Sequence, residues 1–309
     1  MKVLLTGASG QLGQAFVSQL KHHSGTVLVA CTRSDLDITD ADNVHQVLTR
    51  EQPDIVINTA AYTQVDQAES DRQAAYSVNQ GGPANLAETC QSLSIPLLHF
   101  STDFVFDGHK QGGWIEGDPT KPLSVYGTSK LAGEEAVQRL CHKHLIFRVS
   151  WVFSEYAHNF VKTMLKLGAS HEQLRVVSDQ IGKPTCATEI VRVVLDILPK
   201  LDNQWGIYHL AQPEAVSWHQ FAEAIFSQVK TAKHRSLKHR LCVNEVVAIP
   251  TADYPTPAQR PANSVLDSSK LQQTFDLRLN HWRESLEQTL FALEHGTSNT
   301  DQERNHESL

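Results

Sequence analysis

Tyr126 and Lys130 are the first pair in this sequence that could do chemistry. In Tyr126-Gly127-Thr128-Ser129-Lys130 a phenol and an ammonium stand four residues apart, and on a helix that spacing puts them on one face. A free tyrosine has a pKa of about 10, too high for an efficient proton donor near neutrality, and an adjacent cation lowers it by favouring phenolate. Lys130 is also placed to hydrogen-bond the ribose of a nicotinamide cofactor. The spacing arises by chance in many chains, so its weight comes from its surroundings. Upstream, an apolar run ends in Ser101-Thr102. Ligands of a parallel sheet lie at the carboxyl ends of its strands, where a hydroxyl can bind a carbonyl oxygen. Thr102 is therefore expected to polarise the substrate carbonyl.

A second motif supplies the setting. Gly7-Ala8-Ser9-Gly10-Gln11-Leu12-Gly13 follows directly on the apolar run Lys2 to Thr6 and opens a helix, expected from Gln14 onward. Glycine lets backbone N–H groups approach a pyrophosphate, and the helix N-terminus adds partial positive charge. Gly7, Gly10, Gln11, Leu12 and Gly13 are thus expected to border a dinucleotide, an ordinary strand-to-helix turn being the plainer alternative. At the tip of the next strand, Ala30-Cys31-Thr32-Arg33-Ser34 carries no acid to accept from an adenosine ribose. Arg33 suits a 2′-phosphate instead, which favours NADPH and leaves NADH open; Arg33 as a solvent-facing loop residue is the other reading. Asp37 and Ile38 are candidates for holding and covering the adenine, unless Asp37 to Asp40 only cap the next helix.

These groups must be positioned by regular elements, and the sequence provides them. Lys2 to Thr6, Val27 to Cys31, Asp54 to Ala60, Pro96 to Thr102 and Leu145 to Ser150 are short β-rich apolar runs separated by amphipathic stretches of helical length. Such runs are near-continuous rather than alternating when helices cover both sheet faces, so the fold class expected is α/β, a Rossmann-like doubly wound parallel sheet with a smaller substrate-binding lobe. Leu174 to Asp179 and Gly206 to Ala211 are expected to extend that sheet. Phe160 to Leu167, Glu189 to Leu198 and Trp218 to Lys230 are expected to be helical. Four prolines between Val243 and Asn263 break any helix there. We assign 1–150 and about 174–212 to dinucleotide binding, about 151–173 and 213–294 to the lobe, and the polar stretch 295–309 to a disordered tail.

Composition excludes other classes. The 309 residues are 40% hydrophobic and 20% charged, with a net charge of −7, which opposes nonspecific nucleic-acid binding. The basic run Lys230 to Arg240 is expected to be a solvated face. No apolar run spans a membrane, and five scattered cysteines without a CxxC pair fit a reducing, cytoplasmic setting.

Taken together, these motifs resemble the extended short-chain dehydrogenase/reductases, and more closely the dTDP-4-dehydrorhamnose reductases. The segments carrying the likeness include Asn58-Thr59-Ala60-Ala61-Tyr62-Thr63 with Val65-Asp66 and Ala68-Glu69, Ser101-Thr102-Asp103-Phe104-Val105-Phe106, and Lys130-Leu131-Ala132-Gly133-Glu134. Phe147-Arg148, Ser150-Trp151-Val152, Asn159-Phe160, Asp179-Gln180, Tyr254-Pro255 and Arg260-Pro261 with Asn263-Ser264 add to it. The resemblance implies reduction of the 4-keto group of dTDP-4-dehydro-L-rhamnose to dTDP-L-rhamnose, a precursor of cell-surface polysaccharide. It implies Thr102, Tyr126 and Lys130 as the catalytic set, Ala60, Ala61, Tyr62 and Asn79 beside the cofactor, and Trp151 in the sugar pocket, a core tryptophan being the alternative there. Asp103 and Phe104 follow Thr102 at the substrate, and Asn159, Lys162 and Arg260 are candidates for the nucleotide diphosphate because amides and cations suit that anion. Related dehydratases place Asp-Glu after the threonine; here Phe104 replaces the glutamate, so elimination lacks its base. Some relatives hold Mg2+ between subunits with an acid just after the glycine turn. Gln14-Ala15 stands there, so Mg2+ is not expected, although a homodimer is left open. A different nucleotide-linked 4-keto-6-deoxysugar, or a noncatalytic role like that of the regulatory subunit of methionine adenosyltransferase, are the competing readings.

Overall fold

The computed structural model describes residues 1–21, 25–231 and 235–304. Six strands form one parallel sheet: β1 (Lys2–Thr6), β2 (Val27–Cys31), β3 (Ile55–Asn58), β4 (Leu97–Thr102), β5 (His144–Val149) and β10 (Gly206–Leu210), in the order β10-β5-β4-β3-β1-β2. The five expected N-terminal strands and Gly206 to Ala211 all fall in it, within a residue or two at their ends. Chain direction across the sheet reverses between β1 and β3, because β2 lies on one side of β1 and β3 on the other. Crevices at such switch points are where doubly wound sheets take ligands.

Helices cover both faces, which is why the strands are apolar throughout. One face packs Phe16 of α1 (Gln11–Leu20) and Ile190 of α7 (Ala187–Ile197) over Phe100, Phe147 and Tyr208. The other packs α2 (Ala41–Glu51), α4 (Gly82–Ser92) and α5 (Val125–Leu140) over Leu4, Val56 and Ile146 through Val44, Leu48, Leu86 and Val137. The short α3 (Arg72–Tyr76) and a π-helical turn, Ser77–Gly81, lead into α4. Helix α1 begins at Gln11, three residues before the start expected at Gln14.

A second core lies beyond β5. There α6 (Phe160–Gly168), α8 (Trp218–Val229) and α11 (Trp282–Arg304) meet around Phe153, Phe221 and Trp282. Leu174 to Asp179 does not extend the main sheet: β7 (Gln173–Val177) pairs in parallel with β12 (Glu245–Ile249). The reason is packing, since Leu174 and Val176 bury their side chains in this second core with Phe221 and Ile225. Short pairs complete the lobe, β6 (Val152–Phe153) with β9 (Thr185–Cys186) and β8 (Ile181–Gly182) with β11 (Val216–Ser217). Helix α10 (Ser269–Phe275) packs Leu271 and Phe275 into the sheet core beside Tyr208, and the short α9 (Arg235–His239) precedes β12. Helix α11 runs through 295–304, most of the stretch expected as tail, while 305–309 and residues 232–234 of the basic run lie outside the described residues. Among the described residues no helix is long and apolar enough to cross a membrane.

Candidate active site

The glycine turn and the end of β3 face each other across the switch point. A buried polar rung holds their strands in register: Thr6 donates to Asn58 Oδ1 at 2.7 Å, and Asn58 pairs with His99 Nδ1 at 3.0 Å. Burial keeps His99 neutral by pulling its pKa well down, with the Lys130 ammonium acting in the same direction. Gly7 has φ +70°, and a Cβ there would lie 2.5 Å from the Ala60 backbone nitrogen, so only glycine allows the turn to close on β3. The crevice this leaves is about 270 Å3, walled by Gly7, Gly10, Arg33, Asp37, Ile38, Ala60, Ala61 and Tyr62. Those eight were expected from the sequence; Ser9, Leu36, Thr39, Thr59 and Val78 also line it and were missed.

Four expected cofactor residues are not in the crevice wall, and they bond or pack elsewhere. Gln11 turns its amide to the Val152 carbonyl, 3.1 Å, and accepts from Ser154. Leu12 packs against the sheet core, and Gly13 abuts the Gly7 carbonyl. Asn79, fully buried, clips the Tyr62 backbone at both its N–H and C=O and donates to Ser129 at 3.0 Å. It thereby ties the loop after β3 to α5. At the β2 tip the Arg33 side chain is 81% exposed and holds Asp37 at 3.3 Å. Asp37 in turn accepts from Thr39, whose bonds hold its carboxyl below the usual range, and it is Asp40 that caps α2.

Helix α5 delivers the phenol and the ammonium. Ser124 caps it by accepting from Gly127 N–H, and Glu69 accepts from Val125 N–H at 2.9 Å, satisfying two N-terminal donors. Tyr126 is therefore fixed in the first turn, packed edge-on to Phe104 with ring centroids 5.6 Å apart and with its hydroxyl in hydrogen-bonding reach of Thr102. Thr102, at the end of β4, donates to Asp103 Oδ1 at 3.0 Å and accepts from Phe104 N–H. Lys130, 2% exposed, points its Nζ at the Phe100 carbonyl, 2.6 Å.

The electrostatics differ from the simple expectation. Burial outweighs the lowering expected from Lys130: it pushes Tyr126 up to about 12, the hydrogen bond to Thr102 opposes this, and Asp103 adds to it. Lys130 is committed to β4, and its own pKa falls to about 8 because burial penalises the ammonium, with Glu134 resisting. Asp103, also buried, rises to about 6 through that burial, with Oδ2 unpartnered, and Ser101 Oγ is unpartnered as well. The site thus concentrates desolvated ionisable groups, as functional sites do.

Beyond Phe104 opens a cavity of about 350 Å3 with aromatic walls. Trp151 stands just past β5 in a left-handed backbone conformation, φ +47°, which costs a non-glycine residue about 1 kcal/mol or more. Its indole stacks flat on Trp218, 3.5 Å between centroids, over Gly182, where a Cβ would fall 2.5 Å from the indole nitrogen. Of the expected substrate residues, Phe104, Trp151 and Arg260 line this cavity, along with Trp218, Phe160, Arg175, Gln180 and Tyr254, which sequence reasoning missed. Thr102 and Asp103 do not line it. Asn159 and Lys162 do not reach the cavity wall: Asn159 caps α6, its amide donating to the Ser154 and Tyr156 carbonyls, and Lys162 bonds the Glu155 carbonyl.

Residues 1–295 match the family described as RmlD substrate binding domain. A dTDP-4-dehydrorhamnose reductase of Aggregatibacter actinomycetemcomitans is 44% identical over 289 residues, 92% of this chain and 97% of that one. The crystal structure of a dTDP-4-dehydrorhamnose reductase from Clostridium acetobutylicum superimposes with TM-score 0.87 at 37% identity, covering 95% of this chain and 99% of its own. The Bacillus anthracis reductase, solved in complex with NADP, gives TM-score 0.84 at 35% identity, with 93% and 98% covered.

Proposed function

The chain belongs to the dTDP-4-dehydrorhamnose reductase family, and from that premise we propose that it reduces the 4-keto group of dTDP-4-dehydro-L-rhamnose with NADPH, giving dTDP-L-rhamnose. The observation that carries this reading is Thr102 and Tyr126 meeting at the end of β4, with Tyr126 packed on Phe104, which lines the aromatic cavity, and Lys130 one helical turn behind. The crevice at the switch point fits a dinucleotide: glycine backbone faces it at Gly7 and Gly10, and Arg33 is free enough to meet a 2′-phosphate. NADPH bound there supplies the hydride.

The chain's own groups supply the rest. A phenol pushed up to about 12 stays protonated through the physiological range; although that is a weak acid near neutrality, a developing alkoxide is a stronger base than phenolate and draws the proton from it. Tyr126 holds that proton at Oη, and Thr102 fixes the oxygen's approach. Lys130 remains largely cationic below its pKa of about 8, and its field favours the phenolate left after transfer. Phe104 stands where elimination would need a carboxylate, so the site holds a keto sugar for addition rather than for loss of water. The paired indoles give a sugar or base a flat apolar wall.

The test is cofactor oxidation by purified protein given freshly prepared dTDP-4-dehydro-L-rhamnose, with NADPH and NADH run side by side and the product identified. Sugar-dependent oxidation with dTDP-L-rhamnose formed is the expected result. Oxidation only with a different nucleotide-linked keto sugar would change the substrate, and none with any would overturn the reading.

A further inference from the structure

The aromatic cavity has two charged side chains in its wall, Arg175 and Arg260, both cationic. A nucleotide sugar carries its charge as a diphosphate, and the cation that receives it needs N–H donors to spare. Arg260 has few. Its two terminal nitrogens bond Asp66 Oδ1 and Oδ2 at 3.0 and 2.8 Å, and one also bonds the Thr256 hydroxyl and the Ala258 carbonyl. Asp66 further accepts from Ala258 N–H at 3.2 Å. The guanidinium is thus neutralised and used to tie the segment after β3 to the lobe.

Arg175 is the opposite case. It sits on β7 beside Val176 and Val177, which also line the cavity. Its side chain is 59% exposed, and the ion pair with Asp253 is a single 3.3 Å contact between two exposed groups, a weak pairing that an incoming anion displaces readily. We propose that Arg175 is the diphosphate-binding cation of this cavity, exchanging Asp253 for the phosphates, while Arg260 is a clamp held by Asp66. The ligand class, a nucleoside diphosphate, rests on the proposed function.

Calorimetric titration of the full chain with dTDP, UDP and thymidine, alongside thermal melts, tests this with Arg175→Gln, Arg260→Gln and Asp66→Asn. Loss of a charge-assisted hydrogen bond predicts about tenfold or greater weakening of the nucleoside diphosphate by Arg175→Gln, with thymidine binding and melting temperature unchanged. Asp66→Asn is expected to lower the melting temperature without weakening the diphosphate. Unchanged diphosphate affinity in Arg175→Gln, an equal loss for thymidine, or affinity lost in Arg260→Gln alone at a wild-type melting temperature would overturn the assignment. If the wild type takes UDP but not dTDP, the proposed nucleotide is wrong and the same comparison read with UDP decides Arg175. If it takes neither, the proposed function and this assignment fall together.

Discussion

Replacing Glu134 with Gln should cost the fold more than any single exposed ion pair and should also reach the active site. Glu134 is 0% exposed and receives Arg148 Nε and Nη2, the shortest contact being 2.7 Å, with the Arg148 side chain 3% exposed. The remaining Arg148 nitrogen meets His209 Nε2 at 3.4 Å, and the guanidinium lies over the Phe106 ring at 5.1 Å. His209 is held neutral, its pKa pulled to about 3 by burial and by Arg148, so its Nδ1–H donates to the Trp114 carbonyl and Nε2 is left to accept. Among the described residues no other carboxylate bonds the guanidinium. Removing Glu134's charge therefore strands a buried cation, a change that typically costs about 3–5 kcal/mol. At roughly 2 °C per kcal/mol for a chain of this size, the melting temperature should fall by about 6–10 °C. Denaturant unfolding of Glu134→Gln, Arg148→Met and the double variant measures it. The double variant should lose less than the sum of the singles, because it leaves no unpaired charge. The same substitution removes the field that supports the Lys130 ammonium, so the alkaline limb of turnover should move below its wild-type position. A loss under about 1 kcal/mol, or additive singles, would refute the reasoning.

Lys130 must be cationic to favour phenolate, and its pKa of about 8 predicts a turnover that falls as pH rises through that value; a profile flat to pH 10 would contradict it. Asp103 has its pKa raised from 3.8 to about 6, so its effect on stability is favourable below the lower value and lost as pH rises through the higher. Asp103→Asn should then be stabilised by up to about 3 kcal/mol at pH 7.5 and hardly at all at pH 4. Unfolding at the two pH values reads the difference, and equal gains at both would show that burial of the carboxylate is not the cause.

The sheet was legible because both of its faces are covered, which leaves β1, β3, β4 and β5 as continuous apolar runs, and because Gly7 to Gly13 marks the turn after β1. The catalytic helix was legible from the Tyr126–Lys130 spacing. That spacing could not show that Lys130 turns to the Phe100 carbonyl, nor that Tyr126 is buried deeply enough for its phenol to rise rather than fall. Contacts between distant segments were hidden in the same way. β7 looked like a sheet strand until β12, some seventy residues on, supplied its partner. Trp218 gave no sign that it would stack on Trp151, nor Asp66 that it would occupy Arg260, 194 residues away. Asn159 and Lys162 had the right chemistry for a diphosphate, but their polar atoms are used at the start of α6.

The most direct test of the account is turnover of the keto sugar by Tyr126→Phe beside the wild type, with NADPH binding measured on both. Loss of the group assigned to give its proton to the carbonyl oxygen predicts a fall of about 100- to 10,000-fold in turnover, with NADPH affinity nearly unchanged. Near-normal turnover in the Phe variant would contradict the central claim, since the proton would then come from elsewhere.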